Sequence, residues 1–147
     1  MKRIIFCLII LLVSAGSAWT QNLTEEEIIE NDCKGVLLTI TPFSYPKTPD
    51  MVELTLSNQT DNTIQFGAPY TIEKYNPCSE EWEEITFPEG IAFISIMYML
   101  PAGESEVYNT YLYLEQISYD PGLYQIKKQI YSEDKNIECT AQFEIEQ

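Results

Sequence analysis

The chain has 147 residues, 45% of them apolar, with 8 lysines and arginines against 23 aspartates and glutamates and a formal charge of −15. That is core enough for one domain and not for two. The absence of histidine removes Ser-His-Asp and Cys-His catalysis and the commonest zinc ligand, and an acidic chain whose only arginine is Arg3 argues against binding phosphate backbones or anionic lipid surfaces.

Met1-Lys2-Arg3, the apolar run Ile4 to Val13 and the small residues Ser14 to Ala18 have the three parts of a secretory signal peptide. Cleavage is expected after Ala18, because Gly16 and Ala18 present small side chains to the peptidase. The run is too short to span a bilayer comfortably. Cys7 follows Phe6 inside the hydrophobic stretch, so a lipid anchor is not expected. With no second long apolar segment, the product is expected to be secreted or periplasmic, with 1–18 removed, 19–32 an acidic leader and 33–147 the folded domain. In that leader Thr24 to Glu27 fits a capping box, which predicts one or two helical turns, a disordered leader being the alternative. Three cysteines survive cleavage, Cys33, Cys78 and Cys139, enough for one intramolecular disulfide and a leftover thiol.

Everything after the leader reads as strands. Val36, Leu38 and Ile40 alternate with Leu37, Thr39 and Thr41, after which Pro42, Pro46 and Pro49 forbid regular structure until Asp50. Val52, Leu54 and Leu56 alternate with Glu53, Thr55 and Ser57, a strand with one wet face. A turn at 58–62 leads to a strand that begins at Ile64, is interrupted at Gly67-Ala68-Pro69 and resumes to Tyr75. A hairpin loop at 76–79 leads to Trp82 to Phe87. Ile91 to Leu100 is apolar apart from Ser95; it reads as a strand buried on both faces, the alternative being a sticky exposed patch. Beyond the turn at 101–104, Tyr108, Thr110, Leu112 and Leu114 share one face and Val107, Asn109, Tyr111 and Tyr113 the other. Tyr124, Ile126 and Ile130 alternate with Gln125, Lys127 and Gln129, and Cys139, Ala141, Phe143 and Ile145 alternate with Thr140, Gln142, Glu144 and Glu146. Seven to eight short strands without helical periodicity indicate an antiparallel β-sandwich.

Asp120-Pro121-Gly122-Leu123-Tyr124 carries a D-x-G-x-Y pattern that resembles the start of an immunoglobulin-like strand, with Ile126 where antibody domains place their second core cysteine. The resemblance implies a tyrosine corner formed by Asp120, Gly122 and Tyr124. Leu54 to Asn58, Phe66-Gly67, Tyr70 to Lys74, Trp82, Leu100 to Ser105 and Pro121 to Tyr124 together resemble a bacterial Ig-like domain family, over about 52–128. Two departures are visible: Ala102 interrupts a Pro-Gly pair, and Gln125 replaces a frequent Arg, which removes a salt-bridge donor. The resemblance implies an extracytoplasmic immunoglobulin-like sandwich with no catalytic residue, cofactor or metal. If its first and last strands pair in parallel, as such folds commonly arrange, Cys33 and Cys139 lie at one end and form the disulfide, and Cys78 lies at the other.

Tyr111 and Tyr113, with Tyr131 on the outward side of its strand, form a candidate binding face for sugar rings or a protein partner, against the alternative of plain cross-strand pairing. Glu80, Glu81, Glu83 and Glu84 around Trp82 read as a solvated acidic hairpin rather than a calcium site, since no D-x-D-x-D-G pattern occurs. Asn22-Leu23-Thr24 and Asn58-Gln59-Thr60 match a glycosylation sequon, relevant only on a eukaryotic secretory route. The expected function is a non-enzymatic module that binds a protein or glycan, as a monomer or weak homodimer, without nucleic acid or a membrane-integral segment. The alternative is an acidic inhibitor or subunit that docks or dimerises through 91–100.

Overall fold

The computed structural model describes residues 31–133 and 135–146; the signal peptide and the capping box lie outside them. Eleven strands occur there, β1 (Asn31–Asp32), β2 (Val36–Ile40), β3 (Ser44–Tyr45), β4 (Met51–Asn58), β5 (Ile64–Gly67), β6 (Thr71–Asn76), β7 (Glu81–Ile85), β8 (Met97–Leu100), β9 (Ser105–Tyr111), β10 (Gly122–Tyr131) and β11 (Asn136–Ile145). The smaller sheet runs β1-β2-β4-β9 and the larger β3-β11-β10-β5-β8, with β6 also paired to β10 and β7 to β6. The chain folds as an immunoglobulin-like β-sandwich. The count exceeds seven or eight because β1 and β3 have two residues each and because the interrupted strand divides into β5 and β6.

Alternation places the core as the sequence indicates. Val36, Leu38, Val52, Leu54 and Leu56 from the smaller sheet meet Ile72, Ile126, Ile130, Cys139 and Phe143 from the larger, all fully buried. Each such side chain contributes roughly 1.5–3 kcal/mol on leaving water. The expected parallel pairing of first and last strands is made by a different segment. β2 pairs antiparallel with β4, and only beyond the cis Thr41–Pro42 peptide does the chain cross over, so that β3 runs parallel to β11.

β5 and β6 lie end to end along β10, which pairs with β6 at Tyr124 to Lys127 and with β5 at Ile130 and Tyr131. β7 flanks β6 and β8 flanks β5. The Gly67-Ala68-Pro69 break is therefore the point at which the sheet edge passes from β7 to β8, with residues 86–96 crossing between them.

Three expectations are overturned here. The prolines do not forbid regular structure until Asp50, since β3 lies between Pro42 and Pro46 and pairs with β11. Ile91 to Leu100 is not a doubly buried strand: only Met97–Leu100 is a strand, it closes one edge of the larger sheet, and Leu100 alone of that run is buried. A uniformly apolar run has no period, so its sequence does not say which side another layer covers. Leu114 does not share the buried face of Thr110 and Leu112, because β9 ends at Tyr111, Tyr113 adopts φ +54° and the chain turns, leaving Leu114 in solvent.

Two pieces of the resemblance meet at one turn. The buried Asn58 amide donates to the carbonyls of Asn62, Leu100 and Pro101 at 2.8, 3.0 and 3.0 Å, and its Oδ1 accepts from the Thr60 hydroxyl at 2.7 Å. Its backbone carbonyl accepts from Gly103, whose φ of +77° needs glycine. Asn58 is thereby consumed by the fold and has no free amide for a glycan, so that sequon is structural.

Candidate functional site

The candidate site grows from the break between β5 and β6. Ala68 and Pro69 leave the strand ladder beyond Gly67, and the part-buried carbonyls at this break require donors. Lys128 supplies them. It stands at an inward position of β10, in step with Tyr124, Ile126 and Ile130, and is 3% exposed. Its Nζ donates to the carbonyls of Gly67, Ala68 and Pro69 at 2.6, 3.4 and 3.3 Å. The ammonium also lies 5.6 Å from the Phe66 ring centre and 5.1 Å from that of Tyr108. Burial pushes its pKa down to about 8. Above it the rings stack, Tyr98 on Phe66 at 5.4 Å and Phe66 on Tyr108 at 5.8 Å.

On the outer face of the larger sheet the same break opens a groove of about 410 Å³. Tyr70, Phe93, Ile94, Ile96, Met97 and Tyr131 form its apolar walls; Lys127, Gln129 and Glu138 line its polar side. Those polar groups already satisfy one another. Lys127 Nζ lies 2.9 Å from Glu138 and 3.3 Å from Glu73, and Gln129 Nε2 donates to Glu138 at 3.0 Å. The hydrogen bond to Glu138 leads in raising the Lys127 pKa, and the hydrogen bond and charge of Glu73 add to it. The groove therefore offers a visitor apolar surface rather than unpaired charge.

Gln125, where the resemblance leads one to expect Arg, does not leave Glu73 without a cation. Gln125 Nε2 donates to Glu73 Oε2, and Lys127, two residues along the same face, provides the ion pair.

Of the candidate tyrosines, Tyr111 and Tyr113 come together, ring centres 6.3 Å apart, at the end of β9. Tyr131 stands on the other sheet as a groove wall. A chain of aromatic contacts spans the gap: Tyr113 packs on Phe87 and Phe87 on Phe93, each at 5.7 Å, while the Tyr70 hydroxyl donates to the Tyr111 carbonyl at 2.7 Å. The sequence pattern did not reach Tyr70, Phe87 or Phe93, since they belong to the break and the crossing loop, where no period exists. Beside this cluster Ile94, Ile96, Met97, Met99, Val107 and Tyr111 stand in solvent, Met99 at 64%.

The Tyr124 hydroxyl donates to the Asp120 carbonyl at 2.5 Å, and Gly122 takes φ +148° between them. Cys139 is buried, and Cys33 packs against the core to which Cys139 belongs. Cys78 is exposed in the β6–β7 hairpin. Cys139 pairs with Lys128, whereas that hairpin lies at the Gly122 end of β10. Six residues of strand, roughly 20 Å, separate the two positions. Glu80, Glu81, Glu83 and Glu84 are exposed, and Glu83 accepts from Asn76 Nδ2 at 2.6 Å. Among the described residues no group of three or more carboxylate or thiol side chains is placed to hold a metal, and no helix is long and apolar enough to cross a membrane.

A two-sheet sandwich with a tyrosine corner and an apolar groove at a strand break defines an immunoglobulin-like module. A family model described as bacterial Ig-like domain matches residues 32–144, and the chain belongs to that family. No curated protein sequence matches it. Among solved structures it is similar to the alkylpurine DNA glycosylase AlkC of Pseudomonas fluorescens bound to DNA containing an abasic site analog, with 12% identity, TM-score 0.40, 77% of this chain and 31% of that one. It is also similar to the β-glucosidase of Listeria innocua in complex with gluconolactone, with 17% identity, TM-score 0.36, 81% of this chain and 16% of that one. The chain thus spans less than a third of the length of either.

Proposed function

We propose that this chain is a secreted or periplasmic, non-enzymatic binding module, released by cleavage after Ala18, that recognises a protein or surface polymer through the flank around β8. One observation carries the reading: Ile94, Ile96 and Met97 on the groove wall and Met99 beside it are held in water, at 57, 48, 51 and 64% exposure. Soluble domains bury or scatter such side chains, and a contiguous group marks a contact face. Tyr111 and Tyr113 extend that face on the β9 side, and Tyr131 contributes from inside the groove.

The test is a triple variant, Ile94→Ser, Met97→Ser and Met99→Ser, used as bait against the native cell surface. It loses the partner that the parent captures, while its melting temperature stays at or above the parent's, since these side chains bury little in the free molecule. Retention of the partner would refute the reading. The same exposed run favours a second reading, an acidic subunit or inhibitor that docks or dimerises through 91–100. A stable dimer of the mature chain in light scattering would select it.

A further inference from the structure

Among the described residues β8 is the outermost strand of the larger sheet on its side, and none of their strands lies beside its outer edge. Outer strands are usually guarded by charge, proline or twist. The neighbouring outer strands β7 and β9 follow that rule, carrying Glu81, Glu83 and Glu84, and Glu106, respectively. β8 does not. From Ile91 to Gly103 the chain has no charged residue, and Met97, Tyr98 and Met99 are all exposed. Immediately outside this neutral stretch stand the exposed Glu89 on one side and Glu104 and Glu106 on the other.

An unguarded edge can be extended by a second copy or by a foreign segment, and charge decides between them. A molecule of net charge −15 repels its own copy and attracts a basic partner. Three of the lysines are already committed internally, Lys74 to Asp120, Lys127 to Glu73 and Glu138, and Lys128 to the break. We propose that β8 receives an extended segment of a partner protein as an added β-strand. That segment has an apolar centre lying against Met97 and Met99 and lysines or arginines at its ends facing Glu89, Glu104 and Glu106. Backbone hydrogen bonds hold it and alternate side chains select it, one of them reaching the groove beside Met97. This rests on the flank being the contact face.

The probe is a blocked synthetic peptide of about ten residues, alternating Val and Thr with two lysines at each end. Two controls carry glutamates in place of the lysines, or the same side chains with alternate backbone amides N-methylated. The lysine peptide binds the mature chain at least about tenfold more tightly than either control. Its affinity falls as salt is raised, and amides of Met97 to Leu100 gain protection from hydrogen exchange when it is bound. Met99→Lys weakens it by about tenfold. Equal binding of the N-methylated peptide, protection confined to β7 or another strand, or no binding of any peptide overturns strand addition. Protection of β8 together with a dimer in the absence of peptide assigns the edge to a second copy and equally overturns it. If no peptide binds but the Ile94, Met97 and Met99 serine variant still loses its native partner, the flank stands as the contact face and strand addition alone fails.

Discussion

The Lys128 ammonium sits 2.6 Å from the carbonyl of Gly67, sixty-one residues away, and beside the stacked rings of Phe66 and Tyr108. The contact lets the chain break between β5 and β6 without leaving its carbonyls unpaired, and so lets β5, flanked by β8, and β6, flanked by β7, share β10. Lys128→Met keeps much of the apolar stem and removes the donor. Its folding stability falls by about 1–3 kcal/mol, the cost of stranding buried acceptors, read as a lower urea midpoint with an unchanged slope.

The same burial makes stability depend on pH in alkali. Lys128 has a pKa of about 8 when folded against 10.5 ordinarily, so between those values the unfolded chain binds more protons. Stability therefore rises as pH rises from about 8. The buried tyrosines act oppositely. Burial raises Tyr70, Tyr108 and Tyr119, and takes Tyr124 to about 12, so their contribution is complete below 10 and is lost above it. Lys127, raised as well, loses its contribution above 10.5. Urea midpoints across this range should climb from pH 8, turn over near 10 and then fall; in Lys128→Met the climb disappears. A parent curve that is flat or descending from pH 8 would contradict the buried ammonium.

Asn58 joins the end of β4 to the turn between β8 and β9 through two amide contacts with the Leu100 and Pro101 carbonyls, and a third holds Asn62 in its own turn. Asn58→Asp presents oxygen to the Leu100 and Pro101 carbonyls and turns attraction into repulsion, whereas Asn58→Ala only deletes the bonds. Alanine should cost about 2–3 kcal/mol and aspartate more at neutral pH, with the difference shrinking in acid as the introduced carboxyl protonates. Thermal melts of the three proteins at two pH values check the order.

How much of this was legible follows from where periodicity exists. In β4 and β11 a strict alternation of apolar and polar residues fixes which side faces the core, and those faces are the buried ones. The corner residues were legible as a short motif, because Asp120, Gly122 and Tyr124 act within five positions. Lys128 was not, since a cation at an inward position makes sense only beside carbonyls sixty residues earlier in the chain. Nor was the exposure of β8: ten apolar residues without alternation fit a covered strand and an open edge equally. The Glu73 and Gln125 pair spans fifty-two positions and shows only once β6 and β10 are in register.

Glu73 is 9% exposed and depends on Gln125 and Lys127. Placing an arginine at position 125 tests the division of labour. Gln125→Arg adds a charged donor facing Glu73 across the strand pair and should raise stability by about 1 kcal/mol. Lys127→Met removes the cation that serves both Glu73 and Glu138 and should lower it by about 1–2 kcal/mol. In the double variant the arginine recovers most of that loss, because Glu73 regains its ion pair. Strict additivity of the two changes in a double-mutant cycle would mean that the groups do not share Glu73.

Cys33 and Cys139 are the pair we propose for the disulfide. Cys33 precedes β2, and β2 packs against β11, whose Cys139 points into the core that Cys33 abuts. Cys78 is out of reach at the far end of β10. In an oxidising compartment that bond would tie the amino-terminal edge of the smaller sheet to the last strand of the larger one. Because it closes a loop of more than a hundred residues, reduction should cost up to about 4–5 kcal/mol. A peptide mass map of the unreduced mature protein should then show Cys33 joined to Cys139 and Cys78 alkylated by added reagent, with a large drop in melting temperature on adding dithiothreitol. Cys78→Ser should leave that drop intact, and Cys33→Ser should abolish it. A map joining Cys78 to either partner would refute the assignment, because the fold places its hairpin roughly 20 Å from Cys139.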